Sequence, residues 1–148
     1  MSRRTTWIVA LTFGAFVFLG ISFMLARGLS ASGAERAQVL DALQAQARGD
    51  AAGVLAEMPA CARAPVCVRV TRGRVARLRR PGEVQILNYR PSIGLALTRQ
   101  VGTGRVAWRT PGRLPVVQCV RVRRDGPLTG GGVELLALTD PIGAEASC

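Results

Sequence analysis

The side chains in this sequence best suited to covalent chemistry are four cysteines: Cys61, Cys67, Cys119 and Cys148. Such a set can form disulfides, ligate a metal or supply a nucleophile. The chain has no histidine, so there is no Cys–His or Ser–His pair and no imidazole base. Cys61 and Cys67 bracket CARAPVC. That is not the C-x-x-C spacing that zinc sites favour, and without histidine a metal set is unsupported. Two disulfides are the expected outcome, with three formal connectivities. The short Pro-containing loop favours Cys61–Cys67. Cys119–Cys148 would then pin the last residue onto a strand. Each closure would contribute about 2–4 kcal/mol by loop-entropy arithmetic.

The second group with chemical potential is basic. All 20 basic residues are arginine, against nine acids. Arg72, Arg74, Arg77, Arg79 and Arg80 crowd the most basic stretch and are the candidate anion-binding residues. The plain alternative is a solvated face beside the core. The acids offer little catalysis: Glu35, Asp41, Asp50, Asp125 and Asp140 suit caps or loops. Glu134 falls on an expected strand, where it faces an arginine across the sheet. Tyr89, Trp108 and Glu134 are the candidates for lining a pocket, with core packing the default for Trp108. Gly130-Gly131-Gly132 lacks the Gly-Lys-Ser/Thr of a phosphate loop and reads as a flexible turn. No catalytic residue, metal or cofactor is implied.

These residues must be positioned relative to one dominant element. Trp7 to Ala26 is an uncharged run of about twenty residues, enough for a helix to span the roughly 30 Å core of a bilayer. Arg3 and Arg4 precede it and place the N-terminus on the cytoplasmic side; Arg27 opposes them weakly. The expected organisation is a cytoplasmic tail over 1–6, a transmembrane helix over 7–26, a stalk over 27–32 and an extracytoplasmic domain over 33–148. The alternative is a signal sequence cleaved near Ala34, giving a secreted protein, although the run exceeds the usual length of a signal core. No cysteine ends the run, which excludes a lipoprotein signal. Setting aside Arg3, Arg4 and Arg27, 17 arginines face nine acids, a formal charge of +8. Such a domain is drawn to anionic lipid, wall polymer or an acidic envelope protein. An extracytoplasmic location argues against nucleic acid.

The remaining elements read as two helices and then a sheet. Ser32-Gly33-Ala34-Glu35 has the capping-box pattern, and Val39, Leu40, Leu43 and Ala47 share a helical face. Gly49 suits a C′ position, and Asp50 caps a second helix that carries Val54, Leu55 and Met58 and ends at Pro59. Residues 64–80 stay open. Val66, Val68 and Val70 alternate as in a strand, whereas Val68, Val75 and Leu78 suit a helix. Strands follow at 84–89, at Ile93–Thr98 and Arg105–Thr110 around a Gly102-Thr103-Gly104 turn, at Leu114–Arg123 and at Val133–Thr139. The fold class is α+β: two short helices packed on a curved antiparallel sheet of about five strands.

The helix-Gly49-Asp50-helix entry, followed by strands containing Arg105-Val106-Ala107-Trp108 and Val116-Val117-Gln118-Cys119-Val120, resembles the cystatin-like fold of the nuclear-transport-factor-like superfamily. The resemblance covers roughly residues 34–140. It implies helices packed into the concave side of a bent sheet. The chain is also similar to small single-span, cysteine-containing envelope proteins of GC-rich Gram-positive bacteria. That superfamily holds both enzymes and non-catalytic modules, so two readings follow. The favoured one is a membrane-tethered, non-enzymatic binding or accessory module of the cell envelope. The other is a small enzyme or ligand carrier using the concave pocket.

Overall fold

The computed structural model describes residues 3–91, 98–126 and 132–148. It contains helices α1 (Arg3–Arg48), α2 (Ala51–Ala56), α3 (Pro59–Ala62) and α4 (Pro65–Arg77). They precede strands β1 (Gln85–Arg90), β2 (Gln100–Arg109), β3 (Val116–Arg124) and β4 (Val133–Leu138). The strands pair in sequence order as one antiparallel sheet. The α+β class stands. Among the described residues there are four strands rather than about five. The expected strand at Ile93–Thr98 lies almost wholly outside them, as does the Gly130-Gly131-Gly132 turn apart from Gly132.

The largest departure from expectation is at the stalk. Residues 27–32 are not a separate segment and Ser32 caps no helix, because α1 runs unbroken from Arg3 to Arg48, 46 residues. Gly28, Ser30, Ser32 and Gly33 are weak helix formers. They are nevertheless flanked by helix on both sides. Extending an existing helix through six residues avoids the large cost of nucleating a second one. The Trp7–Ala26 part of α1 is 20 residues long, apolar and fully outside the packed fold. The later part packs on the sheet.

Local signals fix the elements that follow. Gly49 takes φ 83°, the left-handed value that favours glycine, and Asp50 Oδ1 accepts from the Gly53 amide at 2.8 Å to start α2. Pro59 opens α3 and Pro65 opens α4, where a missing amide costs nothing. Residues 65–77 are therefore helical. Thr71, Arg74 and Val75 are buried on the helical period, with Leu78 beyond them, while Val66 is 63% exposed. The valine alternation that suggests a strand thus falls largely on the outer side of α4. Gly102-Thr103-Gly104 is not a turn either. It runs straight through β2, with Gly102 opposite Val122 and Gly104 opposite Val120. Continuous pairing with β3 outweighs the local glycine cost.

The core lies between α1 and one face of the sheet. Val39 and Leu43 of α1 meet Val106, Trp108, Val120, Val122 and Leu135, with Val54, Met58 and Val75 closing the side. Two polar contacts set the relative direction. Glu35 meets Arg124, and eleven residues later Gln46 meets Gln118. Eleven helical residues span roughly 16 Å and six strand residues roughly 20 Å. The strands therefore run nearly along α1, with β3 opposite to it in direction. β3 ends at Arg124 toward the apolar run; β1 runs the same way but stops at Arg90, level with Cys119.

Candidate functional site

Among the described residues, buried Glu35 and Arg124 and half-buried Tyr89 form an ionisable cluster. Glu35 sits one turn before Val39 on the sheet-facing side of α1. Arg124 ends β3 on the same face as Val120 and Val122. Tyr89 lies on β1 opposite Val106. The Glu35 side chain is 1% exposed and that of Arg124 6%. An Arg124 Nη2 group donates to Glu35 Oε2, and the Tyr89 hydroxyl donates to Oε1. A carboxylate taken this far from water needs such partners. Burial, followed by the hydrogen bond to Glu35 and its negative charge, pushes the Tyr89 phenol far above its ordinary value. The nearby Arg124 charge opposes this more weakly. Tyr89 is consequently a neutral donor, and the cluster acts as a clamp between helix and sheet.

A neutral counterpart holds the other end. Gln118 Oε1 accepts from Trp108 Nε1 at 2.7 Å and from Gln46 Nε2 at 3.0 Å. Gln118 Nε2 donates to the Thr139 carbonyl at 2.7 Å. Trp108 is completely buried. These polar groups are engaged with one another, as buried polar groups must be.

The three pocket candidates do not converge. Tyr89 and Trp108 lie on the face packed against α1. Glu134 is on the opposite face, opposite Arg123 in register and ion-paired with it. This is the cross-sheet arginine contact expected for Glu134. The cysteines pair as Cys61–Cys67 and Cys119–Cys148. The first ties α3 to the first turn of α4. The second fastens the C-terminal tail to the outer face of β3.

The five arginines at 72–80 are dispersed in their engagements. Arg74 Nε and Arg77 Nη2 converge on Asp140 Oδ1, at 3.3 and 2.9 Å. Burial alone would raise the Asp140 carboxyl. The Arg77 hydrogen bond and the Arg74 charge outweigh it and hold the group below its ordinary value. Arg80 Nη1 donates to the Leu114 carbonyl at 2.7 Å. Arg79 is exposed, and its chain lies over Gly49. Arg72 is exposed on α4. The Arg80 amide bonds the Ala47 carbonyl, so Arg79 and Arg80 sit beside the C-terminal end of α1. Ala47 is roughly 30 Å beyond Ala26 along a continuous helix.

Sequence reasoning missed Glu35, Arg124, Gln46 and Gln118 as a set. The signal was present. Gln118 and Arg124 share the two-residue parity of Val116, Val120 and Val122, and Glu35 and Gln46 share the helical face of Val39 and Leu43. No group of three or more His, Cys, Asp or Glu side chains arranged to hold a metal occurs among the described residues. Comparison of the chain with protein-family models, with curated proteins and with solved structures gives no match.

Proposed function

We propose that this chain is a membrane-tethered, extracytoplasmic accessory or binding module of the cell envelope, without catalytic activity of its own. One observation carries the reading. A 20-residue apolar helix segment that buries nothing in the fold continues directly into a small domain closed by two disulfides. Lipid is the environment that suits such a segment, and disulfides persist in oxidising compartments. Buried Glu35, Arg124, Gln46 and Gln118 are engaged in holding α1 to the sheet, which supports a binding rather than a chemical role. The helix-on-antiparallel-sheet plan fits the cystatin-like resemblance. The excess of arginine makes the partner anionic: lipid, wall polymer or an acidic envelope protein.

The test is topology. A reporter active only outside the cytoplasm, fused after Cys148, should be active, and alkaline carbonate should leave the protein in the membrane. Release by carbonate together with an N-terminus near Glu35 would replace tethering with secretion. Four alkylatable thiols in the native protein would place the domain in the cytoplasm and end the proposal.

A further inference from the structure

The outer face of the sheet, turned away from α1, is strongly basic. The register places Arg90, Arg105, Arg109, Arg121 and Arg123 there, with Glu134 as the acid among them. Arg123 takes Glu134. Arg109 Nε donates to Gln85 Oε1 at 3.3 Å, and Arg105 donates to the Ala144 carbonyl. Arg90 and Arg121 form no ion pair among the described residues, and neither does Glu145 of the tail.

Arg90 and Arg105 are directly opposite one another on β1 and β2. Side chains so placed start about 5 Å apart, and like charges there repel. Arg105 in turn faces Cys119, two residues from Arg121 on the same side. Arg121 is thus a diagonal neighbour at roughly 7–8 Å. Three guanidiniums on adjacent strands, beside the tail that Arg105 holds at the Ala144 carbonyl and Cys148 fastens to Cys119, suit a group that brings several oxygens and negative charge. Phosphate is such a group, since planar guanidinium forks match its oxygens. We propose that Arg90, Arg105 and Arg121 form a phosphate-binding seat on the outer face of the sheet.

The source of the phosphate follows from height above the bilayer, and this part rests on the tethering reading. Glu35 is nine residues past Ala26, roughly 13 Å along the helix. The headgroup layer reaches about 5–7 Å beyond the hydrocarbon. Arg124 pairs with Glu35 at the end of β3 toward the apolar segment, and the register sets Arg90 and Arg105 level with Cys119, five residues or roughly 17 Å farther along the strand. A soluble phosphate group reaches the seat freely; a phospholipid headgroup reaches it only if the sheet leans toward the bilayer.

The experiment uses the full chain in maltoside micelles, titrated with inorganic phosphate at constant ionic strength, with the thermal midpoint as readout. The wild type should be stabilised by phosphate beyond matched chloride. Arg90→Gln should raise the midpoint in phosphate-free buffer, because a repulsion is removed. It should weaken the apparent phosphate affinity about tenfold, the loss of one charge-assisted contact. Arg121→Gln should weaken it less. Arg72→Gln and Arg79→Gln remove the same charge and should leave the affinity within about twofold, since screened distant charges matter little. Equal losses in all four variants, or equal stabilisation by chloride, would overturn the seat.

A second arm places the chain in nanodiscs of phosphatidylcholine, alone or mixed with phosphatidylglycerol. If phosphatidylglycerol stabilises the wild type and abolishes its response to added phosphate, headgroups fill the seat. If the response persists, a soluble phosphate group is the ligand. Carbonate release of the protein from cell membranes, with the micelle response intact, would sink the tethering reading and leave the seat standing.

Discussion

The two ends of the α1–sheet interface perform the same task with different chemistry. Nearest the apolar segment, a buried carboxylate and guanidinium and a half-buried phenol join Glu35, Arg124 and Tyr89. At the far end, neutral amides and an indole join Gln46, Gln118 and Trp108. A buried amide network stabilises modestly and fails modestly. A buried ion pair contributes little net stability over an apolar substitute, yet it is severe when one partner goes. The charged clamp thus sets register more than strength. One slip would move an unpaired charge into the core.

The contrast can be broken most strongly at Glu35. Glu35→Leu withdraws the carboxylate from buried Arg124 and should cost about 3–5 kcal/mol in denaturant unfolding of the full chain in micelles. The Glu35→Leu/Arg124→Met double variant should recover most of that loss, because the desolvated charges leave together. A single-variant cost below about 1 kcal/mol would mean that water reaches the pair and that the two ends do not differ. Gln118→Leu should cost about 1–3 kcal/mol by stranding the Trp108 indole and the Gln46 amide. A larger loss than that of Glu35→Leu would invert the comparison.

The smallest expected effect is the sharpest in sign. Tyr89 is the single tyrosine of the chain, so phenolate absorbance reports it alone. Its folded value is raised above the unfolded value of about 10. Its contribution is therefore complete below about pH 10 and is lost as pH rises through the folded value. Phenolate should stay absent from the folded protein past the pH where a free tyrosine ionises, and appear with alkaline unfolding. Tyr89→Phe should cost about 1 kcal/mol at neutral pH and flatten that alkaline dependence. Ionisation near pH 10 without unfolding would show that Tyr89 is open to water.

The sequence made some of this legible and concealed the rest for physical reasons. The disulfide pairing was readable because a short Pro-containing loop favours local closure. The β3 strand was readable at Leu114–Arg123, and Glu134 was expected to face an arginine across the sheet. Continuity of α1 was not readable. Gly28, Ser30, Ser32 and Gly33 carry a local break signal that flanking helix overrides. The helix at 65–77 was hidden by valines that alternate by accident of spacing. Gln118 and Arg124 were written into the β3 pattern, but a polar residue on an apolar parity reads as an interruption until its partner on another element is known.

The account turns on α1 as one rigid element that carries the basic sheet out from the apolar segment. Spin labels at Leu25→Cys and Arg48→Cys, in the full chain in lipid nanodiscs, test this directly, since the four native cysteines are already paired. A continuous helix predicts one narrow distance distribution centred at about 35 Å. A broad distribution, or one centred below about 25 Å, would mean that the helix breaks near residues 27–33. The height assigned to the sheet and its phosphate seat would then be wrong.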